Sequence, residues 1–252
     1  MTAAPDYKRK VYAIRDLPTL PVIAQKVLML ADDDETSAEK LTAMISSDQA
    51  LSVKVLSLAN SAYYGHRAKI GTIRHAVIVI GTNMLKQLSL SVLVCGTIGR
   101  KGRERTEFWK HSFATATACS LIARKARVSE GDVSFMAGLL HDIGQMVIHT
   151  YFPNEPEMEH TEVGAWMAER WQLPETLINA IAFHHSVDPQ HLAQPITACV
   201  HAADACAKLA FTDKDPELAK EVLEALKLSE PEFLEIVEEL RSRKTQMDRL
   251  LL

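Results

Sequence analysis

Cysteine is scarce in this chain. Its 252 residues hold four, Cys95, Cys119, Cys199 and Cys206, with no CxxC pair among them. That usage argues against a disulfide framework and fits reduced thiols, packed as small buried residues in a cytoplasmic protein. Long apolar runs are missing too. None reaches the roughly 18 residues of a membrane span, and MTAAPDYKRKVYAIRDLPTLP carries no signal-peptide core. No membrane association is expected. There is no excess of positive charge: the formal net charge is -4 and the pI about 6.2. Bulk electrostatics therefore gives no reason to expect a nucleic-acid partner. Short-period repeats and low-complexity tracts are absent.

The composition is that of a soluble globular protein, 47% hydrophobic and 24% charged. The length suits one large domain or two packed subdomains. Helical periodicity runs nearly throughout. Pro21 suits the first turn of a helix carrying Val22, Ile23, Val27, Leu28 and Leu30. Asp32 to Glu35 reads as a solvated loop. Thr36 and Glu39 are spaced as a capping box before Leu41, Met44 and Ile45. Asp48 can cap a helix with Leu51, Val55, Leu58 and Ala59. A turn-rich link then leads into a short apolar helix ended by Gly81. Its Val77 to Ile80 is locally strand-like but too short to make a sheet. Met84 to Ile98 follows as a helix. RKGRER, Arg100 to Arg105, marks a subdomain boundary and reads as a linker rather than a phosphate grip. Beyond it, helices are expected over Phe108–Ala126, from the Ser129–Asp132 capping box through GLLHDIGQMVI, and over Glu162–Trp171, Pro174–His185 and Pro195–Phe211. Two more start near Asp215-Pro216 and at Ser229–Glu232. The fold class is all-α. Trp109, Trp166 and Trp171 are expected to pack in the interior.

Ionisable residues interrupt these apolar helices. His111 lies in FWKHSFATATACSLIA, His141 and Asp142 in GLLHDIG, His160 in EHTEVGAWMAERW, His184 and His185 in AIAFHHSVDP, and Asp204 in TACVHAADACAKLA. A lone buried histidine is usually a satisfied core residue. Four or five helices each carrying one or two such groups are harder to explain separately, because buried charge and unpaired polar atoms cost free energy. A divalent cation offsets that cost by taking imidazole nitrogen and carboxylate oxygen as ligands. Helical bundles commonly hold metals from facing helices. With no cysteine in the set, iron, manganese, zinc or nickel is favoured over a structural zinc site.

The order His111, His141-Asp142, Asp204 resembles the HD superfamily of metal-dependent phosphohydrolases. His160 and the His184-His185 pair are similar to the added ligands of its HD-GYP subgroup, which holds two or three metals. In the N-terminal half, LPTLPVIAQKVLMLADDD, ISSDQALSVKVLSLANSAYYG and IRHAVIVIGTNMLKQL resemble the HDOD family, the HD-related output domain. AERWQLPETLINAIAFHH is similar to it as well. The resemblance runs from about Leu17 to Leu209. It implies an N-terminal helical bundle packed on an HD-type helical core. The corresponding division is an extension over 1–16, a helical subdomain over 17–99, a metal-site subdomain over 100–212 and C-terminal helices over 213–252. It also implies a bacterial signalling module with a signalling protein as partner, a divalent metal centre, and His111, His141, Asp142, His160, His184, His185 and Asp204 as ligands of one or two ions.

Departures from the enzymes of the superfamily bear on function. Gln145 follows HDIG where HD-GYP phosphodiesterases usually carry a lysine that meets substrate phosphate. SVDPQHLAQP lacks the glycine-tyrosine-proline signature, so hydrolysis of cyclic di-GMP is not expected. YFPNEPEMEH is short for the family, which would open the site or remove a partner surface. Three readings follow. The first is a regulatory protein acting through interaction or ligand sensing. The second is a metal-dependent phosphohydrolase on a nucleotide or other phosphoester, with Asp142 catalytic. The third is oxygen chemistry at a diiron centre. A phosphate-containing small ligand is compatible with the first two. Arg74 and His75 read as helix-terminal residues before phosphate contacts. Asn60 with Tyr63 and Tyr64 is either a turn with packed rings or a partner site.

Overall fold

The structure is a computed structural model that describes residues 6–15, 21–28, 30, 35–60, 70–95, 103–128, 131–155, 157–212 and 218–243. Among the described residues there are fifteen α-helices and no strand. Val77 to Ile80, strand-like in isolation, completes a helix. None of the helices is long and apolar enough to cross a membrane. The chain divides into two compact units.

The smaller unit, Thr19–Ile98 with Arg243–Leu252, contains α2 (Val22–Leu28), α3 (Glu35–Ser46), α4 (Gln49–Ala59), α5 (Ile73–Ile80) and α6 (Thr82–Cys95). Val27, Leu41, Ile45, Val55, Leu85 and Leu88 form its buried centre. Each such aliphatic side chain withdrawn from water contributes about 1.5–3 kcal/mol before entropy is counted. Asp48 caps α4, its Oδ1 accepting from the Leu51 amide at 3.0 Å. Helix α3 already begins at Glu35, so Thr36 lies inside it rather than at its cap. Asn60 does the work of a turn residue. Its Nδ2 donates to the carbonyls of Leu56 (2.8 Å) and Ile70 (2.7 Å), and its Oδ1 accepts from the Ile70 amide at 2.7 Å. Tyr63 and Tyr64 lie outside the described residues. Thr72 caps α5 by accepting from the His75 amide, which places Arg74 and His75 in a helix's first turn.

The larger unit, Met1–Pro18 with Gly99–Ser242, holds α1 (Tyr7–Tyr12), α7 (Arg103–Lys125), α8 (Gly131–Leu140), α9 (Ile143–Tyr151), α10 (His160–Arg170), α11 (Glu175–Phe183), α12 (Pro189–Leu192), α13 (Pro195–Phe211), α14 (Lys220–Leu226) and α15 (Glu230–Ser242). Helices α7, α8 and α13 form its centre. Small residues make their approach close: a Cβ on Gly138 would stand 2.7 Å from the Ala116 Cα. Phe233, Ile236, Val237 and Leu240 bury one face of α15, which packs on α7 and α13. Ser229 opens that helix. Its amide and hydroxyl both donate to Glu232 Oε2.

Several boundaries differ from those the sequence suggests. Helix α7 is described from Arg103, so Arg103 to Arg105 of RKGRER are helical and Arg100 to Gly102 lie outside the described residues. The extension over 1–16 carries a helix, α1, fixed to α10. Arg170 donates to the carbonyls of Val11, Tyr12 and Ile14 at its C-terminal end, and Glu169 meets Lys8 and Tyr12. Of the tryptophans, Trp109 and Trp171 are buried and Trp166 is half-buried. Cys119, Cys199 and Cys206 are free thiols in the interior.

The largest departure is in GLLHDIGQMVI. The helix breaks there, α8 ending at Leu140 and α9 starting at Ile143. In a continuous helix the Gly138 carbonyl would accept from the Asp142 amide. Instead it accepts from the His141 ring, Nδ1 to O 2.9 Å. A side chain has replaced a backbone donor, and the chain turns.

Candidate metal centre

The helix break decides where the first two polar groups point. Asp142 sits at the N-cap of α9 but makes no capping hydrogen bond. Its carboxylate is free to face inward. His184 uses the same device as His141. It lies at the C-terminal end of α11 and its Nδ1 bonds the Ile181 carbonyl at 2.8 Å. In both rings the proton on Nδ1 is committed to a carbonyl, so Nε2 is the ring atom left to face the interior. His160 is the first residue of α10, and His185 follows the end of α11. His111 and Asp204 project from the middle of α7 and α13.

All seven residues singled out in the sequence come together, in two sets. Asp142, His160, His184 and His185 form one, and His111, His141 and Asp204 the other. Within each set, one potential ligand atom per residue lies within 4.8 Å of all the rest. Asp142 joins them. Its Oδ1 lies 3.2 Å from His160 Nε2 and 3.5 Å from His184 Nε2. Its Oδ2 lies 3.3 Å from His141 Nε2 and 3.8 Å from His111 Nε2. Asp204 Oδ1 stands 3.2 Å from His111 Nε2 and 3.9 Å from His141 Nε2.

These donors fit a cation better than they fit one another. His141 Nε2, Asp142 Oδ1 and Asp204 Oδ1 are buried with no hydrogen-bond partner among the described residues. Orphaned buried acceptors cost about 1–3 kcal/mol each. His160 Nε2 and His184 Nε2 face each other across 3.4 Å. Two nitrogens bound tetrahedrally at 2.0–2.1 Å to one zinc-like ion would be about 3.3 Å apart.

The charge states follow from the surroundings. Burial disfavours ionised Asp142, but the facing imidazoles, His141 above all and then His160 and His184, outweigh it and hold the carboxyl well below the usual range. Asp204 is likewise lowered, burial being outweighed by His111, His141 and Lys208. Burial and the charge of His141 lower His184. Burial and His184 lower His185 to about 4. Both therefore stay neutral near pH 7, the form a metal takes. His141 goes the other way. Burial would lower it, but Asp142 above all, and then Asp204, push it up to about 9. In the absence of another cation, a proton on His141 and the Lys208 ammonium offset the charge of the two carboxylates.

His141, His184, Asp142 and Asp204 are buried, whereas His111 and His160 are partly exposed and His185 is exposed. The centre is therefore open to solvent on one side.

Two kinds of residue were not singled out from the sequence. Lys208 Nζ sits 2.6 Å from Asp204 Oδ2. The i,i+4 spacing on one helix was the available signal. Gly144 and Gly164 set the approach of α9 to α10: a Cβ on Gly144 would fall 1.9 Å from the His160 carbonyl oxygen and 2.6 Å from the Gly164 amide. The glycine of HDIG thus holds His160 beside Asp142, which no spacing rule reveals.

A sequence model of the HDOD domain matches residues 17–160 and 155–187. An uncharacterised protein of Treponema pallidum (strain Nichols) is 28% identical over 69% of this chain and 38% of its own length. Ribonuclease Y of Aquifex aeolicus (strain VF5) is 34% identical over 46% of this chain and 18% of its own. The chain thus spans well under half the length of these relatives. Among solved structures, an HDOD domain protein of unknown function from Geobacter sulfurreducens superposes with a TM-score of 0.78 at 24% identity, covering 97% of this chain and 95% of that one. A candidate phosphohydrolase from Shewanella amazonensis SB2B gives 0.74 at 23%, covering 97% of both. At such identities the solved structures establish the shared fold.

Proposed function

Because the chain belongs to the HDOD domain family, we propose that it is a regulatory signalling protein whose larger unit binds divalent metal at two adjacent positions. The observation that carries this reading is the placement of Asp142, with one carboxylate oxygen toward His160 and His184 and the other toward His141 and His111. A single carboxylate serving two histidine sets is suited to bridge two cations. His185 would complete the first set and Asp204 the second. The nitrogen and oxygen donors, with no thiolate, suit iron, manganese, zinc or nickel.

Metal bound there would supply Lewis acidity toward an oxyanion or carbonyl ligand. The chain's own residues do the rest. The Nδ1–H bonds of His141 and His184 fix ring orientation, and Asp142 and Asp204 provide the negative charge. The rim of partly exposed His111 and His160 and exposed His185 would admit a ligand from solvent. As a regulatory protein, the chain would pass the state of this centre to a signalling partner.

A second reading, metal-dependent hydrolysis of a phosphoester with Asp142 at the reacting centre, is favoured by that open rim. The Shewanella protein described as a candidate phosphohydrolase and the ribonuclease Y relatives lend it support. Gln145, neutral where a phosphate-binding lysine would be expected, weighs against it.

The test is elemental analysis of protein purified without chelator or histidine tag. Two transition-metal ions per chain are expected. A folded, metal-free protein that takes up none on dialysis would overturn both readings. A metal-loaded protein is then screened against phosphomonoesters and phosphodiesters. Turnover abolished by Asp142→Ala selects hydrolysis, and its absence selects regulation.

A further inference from the structure

We infer that Lys208 is the anion-recognising group of this centre, placed to grip a phosphate-type oxyanion at its open side. The inference rests on the two-metal reading above. Lys208 stands one helical turn beyond Asp204 on α13 and bonds Asp204 Oδ2, while Asp204 Oδ1 faces His111 and His141. One carboxylate thus separates the ammonium from the histidine set. The lysine side chain is 41% exposed and the aspartate side chain 6%, so Lys208 reaches from solvent to the buried ligand. The partly exposed ammonium and the partly exposed His111 meet the two oxygens of the same Asp204 carboxylate.

Charge balance says what such a group is for. Two carboxylates cannot neutralise two dications, and the histidines are neutral when they bind metal. The loaded centre is therefore net positive, and Lys208 adds to that charge. Once Asp204 shares its charge with a metal, the lysine loses much of its counterion. An ammonium has three donors and Asp204 engages one, leaving two for an incoming oxyanion. Gln145 on α9 supplies no cation, whereas Lys208 on α13 brings one to the edge of the site. The four-carbon stem lets the ammonium swing toward the ligand without moving the helix. The ligand class that fits is phosphate, free or as a phosphoester.

Isothermal titration of inorganic phosphate, and separately of a nucleoside monophosphate, into metal-loaded protein tests this. Wild type, Lys208→Gln and Lys208→Arg are compared, with metal content and melting temperature measured on the same samples. The expected result is unchanged metal content, a Kd for at least one probe raised about tenfold or more in Lys208→Gln, and partial recovery in Lys208→Arg. The tighter probe identifies the source of the phosphate. If Lys208 only neutralises Asp204, Lys208→Gln alters metal content and leaves phosphate affinity per loaded chain unchanged, which overturns the assignment. Absence of phosphate binding to loaded wild type overturns it as well, with the metal reading intact. Wild type that takes up no metal removes the metal reading and the assignment together.

Discussion

Replacing Gly144 by alanine perturbs the candidate metal centre without touching any candidate ligand. The new methyl would lie 1.9 Å from the His160 carbonyl oxygen and 2.6 Å from the Gly164 amide nitrogen. Both neighbours are backbone, so no side-chain rotation relieves the clash. Contacts of this kind are essentially never shorter than 3.0 Å, so α9 and α10 must separate by about 1 Å. His160 opens α10, and its Nε2 is 3.2 Å from Asp142 Oδ1. Coordination distances tolerate only about 0.2 Å. The set of Asp142, His160, His184 and His185 should therefore lose His160, while His111 on α7, Asp204 on α13 and His141 at the end of α8 keep their positions. Overpacking of this size costs about 1–3 kcal/mol, or about 3–10 °C of melting temperature for a chain of this length. Elemental analysis of Gly144→Ala should show about one metal ion fewer per chain than wild type. His160→Ala should reproduce the metal loss without the packing cost. If Gly144→Ala retains full metal content and the wild-type melting temperature, the close approach of α9 and α10 does not position the site.

Asp142→Ala should abolish binding of both ions and destabilise the protein by about 3–5 kcal/mol, the cost of stranding a buried ionic partner. Thermal denaturation with metal analysis checks both, and unchanged metal content would refute the bridging role. In chelated protein, the raised His141 pKa stabilises the fold fully below about 6.5, a contribution lost as pH rises through about 9. The lowered Asp142 and Asp204 values stabilise it above about 3.8, a contribution lost in acid. Chelated protein should therefore lose up to about 1.4 kcal/mol per pH unit between 6.5 and 9. Metal takes His141 unprotonated, so the gap between loaded and chelated melting temperatures should widen over that range; a constant gap would contradict the charge assignment. Cyclic di-GMP should not be turned over by loaded protein, and turnover abolished by Asp142→Ala would reverse that expectation.

The sequence by itself determined the all-α class and singled out the seven residues that the fold brings together. Periodic apolar residues with proline at one end defined Pro195–Phe211 to the residue, because an amphipathic helix and its first turn are local properties. His111, His141, Asp142, His160, His184, His185 and Asp204 stood out because each interrupts an apolar helix, and burial of such groups needs a common cause. Only the tertiary structure decided how they are arranged. The break at His141-Asp142 depends on a ring nitrogen outcompeting a backbone amide for the Gly138 carbonyl, two donors that look equivalent in a string of letters. The division into two sets, and the two directions of the Asp142 carboxylate, depend on where α7, α10, α11 and α13 stand around one helix end. The Gly144 contact with α10 and the reach of Lys208 to Asp204 are likewise matters of distance. Propensity and hydrophobic pattern act over a few residues, whereas coordination geometry is set by helices far apart in the chain and close in space.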